Sequence, residues 1–327
     1  MTPPLLEVVN VKKHYPIASG FFDRFKRNVK TVKALNGVNL VIYKGETLGL
    51  VGESGCGKST LGRIILNLEQ PTEGSVFFEG RDIVQIKTRA EVKKLRKRIQ
   101  MVFQNPASTL DPRMTVRQVL AEPFEIHNGL GRKELGKRIA SLLEMVGLNA
   151  ADMNKYSGSF SDGQKQRIAL VRALSLKPDF IVADEPVSAL DVSVQAQILN
   201  LMKRIQNEVQ LTMLFISHDL HVVRFLSDRI AVIYLGKIVE IGGTEELYHN
   251  HYHPYSEELF SSVLDLNPEM TFDESRIKAE VPVSQIDIPS GCVFRLRCLE
   301  AQEQCSMIRP ELREVATNHF VSCLLRQ

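Results

Sequence analysis

GESGCGKST, residues 52–60, decides the fold. It follows the apolar run ETLGLV (46–51) and precedes TLGRIILNL (60–68), so strand, glycine turn and helix succeed one another directly. The G-x-x-x-x-G-K-S spacing gives that turn a chemistry. Gly52, Gly55 and Gly57 let backbone N–H groups curl around an anion at a helix N-terminus, whose dipole favours negative charge. Lys58 then reaches the β- and γ-phosphates of a nucleotide and Ser59 ligates Mg²⁺, with Ser54 and Thr60 completing the expected contacts. The bland alternative, a glycine turn beside an ordinary helix cap, does not account for the Lys-Ser pair in this context. Cys56 is expected to be incidental.

A second apolar strand supplies the partner element. FIVADEP (180–186) ends in Asp184, placed to hold Mg²⁺ through water, and Glu185, placed to take a proton from an attacking water. Alone, two carboxylates after a strand describe a solvated turn; beside a phosphate loop they become specific. IQMVF (99–103) and LTMLFIS (211–217) read as further central strands. Residues 5–15 and 38–43 alternate as half-covered strands do. EGSVFFEG (73–80) and RIAVIYLGKIVEIGG (229–243) read as hairpins, the latter turning at Leu235–Gly236. QAQILNLMKRIQNEV (195–209) places Ile198, Met202, Ile205 and Val209 on one helical face.

The expected fold class is therefore α/β: a P-loop NTPase core with a parallel sheet, an antiparallel β subdomain and a helical insert at about 105–175. A small Cys-rich C-terminal extension follows. The expected domains are 1–255 for the ATPase, 256–290 for a helix and linker, and 291–327 for the Cys-rich segment. Residues 20–31 (GFFDRFKRNVKT) form a basic, Phe-bearing insertion, expected as a variable surface hairpin. KKLRKR (93–98) reads as a solvated helix face.

Composition narrows the class further. The chain has 327 residues, 44% apolar and 24% charged, which fits a soluble globular protein. No run approaches the roughly 18 apolar residues of a membrane span. MTPPLLEVVN lacks a signal-peptide profile, so the cytoplasm is the expected compartment, where disulfides are rare. A net charge of +3 is too small to argue for nucleic acid as a partner.

Taken in order along the chain, these motifs resemble those of an ABC-transporter ATPase subunit over essentially the full length. Gln104 matches the family's Q-loop and SALD (188–191), ending in Asp191, its D-loop. His218 matches the switch histidine that touches the γ-phosphate, and Tyr15 the aromatic residue that stacks on adenine. FSDGQ (160–164) stands where the family has LSGGQ, which binds the γ-phosphate of ATP held by the opposite subunit. From the residues alone, Ser161 and Gln164 form a capping box opening a helix, with Gly163 between them. Asp162 departs from the family's glycine. It is expected to stabilise the first helical turn, the alternative being that it weakens the composite site.

The resemblance implies ATP and Mg²⁺ as cofactors, with Ser59, Gln104 and Asp184 toward the metal and Glu185, His218 and Gln104 as catalytic residues. It also implies a second ATPase subunit, identical or paralogous, two transmembrane permease subunits and, indirectly, an extracytoplasmic solute-binding protein. The chain would lie on the cytoplasmic face of the membrane. ADEPVSALDVSVQAQILNLM (183–202), QNPASTLDPRMTV (104–116) and HPYSEEL (253–259) resemble the oligopeptide, dipeptide and nickel importer branch, and so imply import of peptides or a related solute. Residues 105–116 are the implied surface for the membrane subunit. The alternatives are a soluble ABC ATPase of nucleic-acid metabolism and a redox-regulated ATPase.

Four of the five cysteines gather at the end, as GCVFRLRCLEAQEQC (291–305) and then Cys323. The spacing C-x5-C-x6-C-x17-C lacks the close pairs of zinc ribbons. Cys292, Cys298, Cys305 and Cys323 can instead hold a [4Fe–4S] cluster, with zinc or four metal-free thiols as alternatives. The tail resembles the family's C-terminal cysteine segment, in which some members carry such a cluster. It is expected as an appended unit that a linker separates from the ATP motifs. His249, His251 and His253 alternate in a loop without supporting carboxylates or thiols and are not expected to bind metal.

Overall fold

Residues Thr47–Val51 and Phe180–Asp184 are buried at every position, as strands covered on both faces are. Pro4–Pro16 and Thr31–Tyr43 mix buried and accessible positions, as strands with one covered face do. In the computed structural model these segments are β3, β7, β1 and β2, and the structure describes residues 3–17, 30–105, 109–127, 129–261 and 285–326. The remaining strands are β4 (Glu73–Phe78), β5 (Arg81–Asp82), β6 (Ile99–Val102), β8 (Thr212–Ile216), β9 (Arg229–Tyr234), β10 (Lys237–Gly243), β11 (Arg313–Ala316) and β12 (His319–Val321). Most of the 20–31 insertion, most of the 267–290 linker and residues 106–108 of the expected membrane-subunit surface lie outside the described residues.

The chain divides into two units. Met1–Ile42, Leu48–Val84 and Ser217–Gln327 form the first; Tyr43–Thr47 with Gln85–Ile216 form the second. In the first unit a sheet runs β2-β1-β4-β5, antiparallel between β1 and β4 and between β4 and β5, with Leu6 opposite Phe78 and Val8 opposite Val76. A second ladder in this unit runs β11-β12-β10-β9-β3, parallel between β3 and β9 and antiparallel elsewhere. β2 reaches back to Thr31, beyond the expected 38–43.

The second unit carries three parallel strands, with Ile99 opposite Phe180 and Asp184 opposite Ile216 in the β6-β7-β8 order. Its 116–174 stretch is helical, in Val116–His127, Arg132–Met145 and Asp162–Leu174. Helix Val192–Val209 buries Ile198, Met202 and Ile205 as the sequence predicts. Val209 is instead exposed, because the helix ends there and Gln210 turns the chain in the left-handed conformation. KKLRKR lies on helix Arg89–Arg98 with only Leu95 buried, and Arg98 pairs with Asp179 at 2.5 Å.

The C-terminal segment differs most from expectation. It is not set apart by its linker: β12 pairs with β10, Glu240 opposite Val321 and Ile241 opposite Phe320. The cause is a buried carboxylate. Glu240 is fully buried and accepts from the amides of Tyr252 (2.7 Å) and His253 (3.0 Å), while the His319 ring contacts it at 2.7 Å with no exposure of its own. Burial pushes the Glu240 carboxyl up, but the His319 ring, the Ser256 hydroxyl and the two amides outweigh it and hold the carboxyl below its usual range. Taking a partner from a buried charge leaves it uncompensated, so His319→Ala is expected to cost about 3–5 kcal/mol in urea denaturation. A loss below about 1 kcal/mol would place the pair among surface-type contacts.

Candidate nucleotide site

In the first unit, the phosphate loop joins β3 to helix α1 (Lys58–Ile65). Gly57 has φ 110° and stands so close to β2 that a Cβ would lie 2.3 Å from the Ala34 carbonyl oxygen. Gly52, at φ 153°, would set its Cβ 2.2 Å from the Ile233 carbonyl oxygen. Glycine is therefore required at both positions by neighbouring backbone as well as by dihedral angle. α1 has no side-chain cap and no acidic residue in its first turn, so no carboxylate there competes for an anion. Lys58 is buried, its ammonium donating to the carbonyls of Gly52 (2.6 Å) and Glu53 (2.9 Å).

Tyr15 lies at the end of β1, its hydroxyl donating to Glu69 at 2.6 Å. The Lys13 ammonium sits 5.1 Å from the ring centroid and 3.1 Å from the same carboxylate. Glu69 thus fixes the ring's orientation, a role that nothing in its local sequence signals. His218 is exposed and directly precedes Asp219, which caps helix Leu220–Leu226 by accepting from the amides of His221 (2.9 Å) and Val222 (3.3 Å).

The second unit brings the carboxylate motif and the Q-loop glutamine together across 81 positions of sequence. Gln104 follows β6 and donates to Glu185 at 2.9 Å, with Ser188 at 3.5 Å. Asp184 ends β7 and is buried, whereas Glu185 adopts φ 47°, rare for a residue with a side chain, while its N–H bonds the Ile216 carbonyl at 2.9 Å. That turn leaves the ladder immediately after Asp184 and brings the Glu185 carboxylate to Gln104. Asp191 caps helix Val192–Val209, accepting from Val194 N (3.0 Å) and the Ser193 hydroxyl (2.7 Å). These two bonds, the hydroxyl's foremost, hold its carboxyl below the usual range.

Ser161 and Gln164 form the capping box that the sequence predicts, opening helix Asp162–Leu174. Gly163 is needed for packing, since a Cβ would lie 2.4 Å from Val194 Cγ1. Asp162 is exposed and pairs with Lys165 at 3.1 Å, one turn on. Asp162→Gly is expected to cost about 1 kcal/mol of stability, from lost first-turn charge and glycine entropy. ATP turnover should change by less than about threefold; a gain of about tenfold would instead show the carboxylate opposing the partner's nucleotide.

At the C-terminus, Cys292, Cys298, Cys305 and Cys323 line one small cavity together with His253, Phe294, Leu324 and Leu325. All four thiols are free. Burial pushes the Cys292 and Cys323 thiols up and Cys298 to about 11, so these three carry their protons at neutral pH. Among the described residues, no group of three or more His, Cys, Asp or Glu is arranged to hold a metal ion. The three neighbouring histidines disperse: His249 lies 3.7 Å from Glu245, His251 stacks on Phe260, and His253 is buried beside Glu240.

Sequence reasoning missed three residues that touch the phosphate loop. Arg297 donates to the Glu53 carboxylate at 2.7 Å, the Tyr255 hydroxyl accepts from the Glu53 amide at 2.9 Å, and Gln285 donates to the Gly55 carbonyl. The linker therefore does not separate the cysteine segment from the ATP motifs. Arg297 is flanked by cysteines and lies 244 positions from Glu53, so no local spacing announces the pair.

No described helix is long and apolar enough to cross a membrane. The ABC transporter family pattern matches residues 35–188, and that of the oligopeptide/dipeptide transporter C-terminal region matches residues 239–305. An oligopeptide transport ATP-binding protein of Bacillus subtilis, AppF, is 50% identical over 323 residues, covering 98% of this chain and 97% of its own. A dipeptide transport ATP-binding protein of Haemophilus influenzae, DppF, is 44% identical, covering 98% and 96%. An ATP-binding cassette solved as a dimer in a post-hydrolysis state with ADP and Pi superposes with a TM-score of 0.64 and 31% identity, over 73% of this chain and 98% of its own. The phosphate loop, the strand-end carboxylates, the helix capped by Ser161 and Gln164 and the full-length similarity agree: the chain belongs to the ABC transporter ATP-binding subunits and is an ATPase of that family.

Proposed function

We propose that this subunit hydrolyses ATP at the cytoplasmic face of a membrane to drive import of oligopeptides or dipeptides. The observation that carries this is the end-to-end similarity to oligopeptide and dipeptide transport ATP-binding proteins, which includes the C-terminal region. The names of these relatives favour transport over the nucleic-acid alternative. The partners are a second ATPase subunit, two membrane permease subunits and, through them, an extracytoplasmic solute-binding protein.

In this reading Tyr15 stacks on adenine, and the 52–60 loop cradles the phosphates. Lys58 exchanges its carbonyl partners for phosphate oxygens. Ser59, Gln104 and Asp184 would hold Mg²⁺, which supplies charge neutralisation at the β- and γ-phosphates. Glu185 takes a proton from the attacking water as its oxygen bonds the γ-phosphorus. The bond to the β-phosphate oxygen breaks, leaving ADP and phosphate. His218 steadies the γ-phosphate, while Ser161, Gly163, Gln164 and Asp191 serve the nucleotide of the opposing subunit. Glu185→Gln is expected to bind ATP but hydrolyse it at least about a hundredfold more slowly, since general-base catalysis is worth that much or more. Turnover near the wild-type rate would contradict the assignment.

A second proposal concerns the cysteines. We propose that the four thiols lining one cavity, which match in number and kind the thiolates of a [4Fe–4S] cluster, take up such a cluster. Because three of the thiols are held protonated, loading must release protons and will be favoured by higher pH. Anaerobically purified protein is expected to carry about four irons per chain with broad visible absorption, lost in Cys305→Ser. Stoichiometric zinc, or no metal, would contradict the cluster.

A further inference from the structure

The phosphate loop is held by contacts that its own motif does not supply, and they converge on Glu53. This residue is the first variable position after Gly52, upstream of the Gly55–Ser59 turn. Its carboxylate accepts from Arg297 at 2.7 Å, its N–H donates to the Tyr255 hydroxyl at 2.9 Å, and its carbonyl accepts from Lys58 at 2.9 Å. Three sides of one residue are thus engaged, two of them by C-terminal residues.

Those residues are themselves fixed. Tyr255 is almost wholly buried, its ring 4.5 Å from that of Tyr234 and 5.5 Å from that of Phe294. Arg297 also pairs with Glu258, and its guanidinium lies 5.6 Å from the Phe294 ring centroid and 5.7 Å from that of Tyr234. The turn before Tyr255 is set by Glu240, which takes the amides of Tyr252 and His253, and by the His253 ring, which accepts from the Tyr255 amide at 3.1 Å. A chain of packed and hydrogen-bonded groups therefore runs from β10 to the phosphate loop within one unit.

We infer that Arg297 and Tyr255 are positioning residues for nucleotide binding, acting through Glu53 to hold the phosphate loop in the shape that receives a diphosphate. This rests on the ATPase reading, whose failure would show separately as wild-type protein that binds no nucleotide. The loop contacts phosphates in ATP and ADP alike, whereas Glu185 and Gln104 belong to the other unit. Losing the clamp should therefore weaken affinity and spare the chemical step.

The test is titration of the full-length chain with Mg·ADP, with steady-state ATPase kinetics alongside. Arg297→Ala and Glu53→Gln are each expected to raise Kd for Mg·ADP and KM for ATP about tenfold, with kcat within about twofold. The double variant should be no worse than about twofold beyond the weaker single one, because both remove the same contact. Arg297→Lys, which keeps a cation in reach of Glu53, should recover to within about threefold of wild type. A merely structural role would lower the melting temperature and the active fraction but leave Kd and KM of the folded protein unchanged, and that result would overturn the inference. So would singles whose effects multiply independently. Should Arg297→Ala fail to fold, Glu53→Gln decides alone: an unchanged Kd overturns the inference and a weakened one supports it.

Discussion

A carboxylate removed from water must have its oxygens answered by the protein, and Glu240 imposes that requirement on three segments at once. It sits on β10 with no exposure, so the chain that follows must present the amides of Tyr252 and His253, and the far C-terminus must deliver His319. Satisfying it fixes the strand order at this edge, since His319 opens β12. It also fixes the His-Pro-Tyr turn, where burial holds the His253 ring down to about 4 and so leaves it neutral, able to accept from the Tyr255 amide. Tyr255 then meets the phosphate loop. One buried charge organises the route from sheet edge to nucleotide.

The route explains what was legible in the sequence and what was not. The phosphate loop could be read because its chemistry is local: three glycines, a lysine and a serine within nine residues, between a strand and a helix. Gln104 and Glu185 are far apart in sequence, yet each follows a recognisable apolar strand, and parallel pairing of β6 with β7 brings them together. The capping box of Ser161 and Gln164 is likewise local. The C-terminal pairing offered no such signal. β12 is three residues long, Glu240 and His319 are 79 positions apart, and a glutamate between Val239 and Ile241 gives no hint of its partner. The cysteines drew attention to their own count and away from Arg297 between them.

One of the chain's left-handed non-glycine residues, Glu185, stands at the chemistry. Gly52 and Gly57 press against backbone carbonyls in the first unit, and in the second Glu185 departs from its strand at φ 47°. A left-handed glutamate costs on the order of 1 kcal/mol, and the surrounding strand pairing and the Gln104 and Ser188 contacts sustain it. The same logic gives the C-terminal segment a purpose beyond its cysteines. Glu53 braces the phosphate loop from its upstream end, offering a carboxylate to Arg297 and an amide to Tyr255. Tyr255 and Arg297, both within the stretch matching the oligopeptide/dipeptide transporter C-terminal region, thus lie against the phosphate loop.

The most direct test of this account is the exchange rate of the Glu53 amide, read by NMR on nucleotide-free full-length protein. If the Tyr255 hydroxyl holds that amide, it exchanges slowly in the wild type and at least about tenfold faster in Tyr255→Phe, while amides of β7 are unchanged. Equal exchange at Glu53 in both proteins would contradict the claim that Tyr255 holds the phosphate loop.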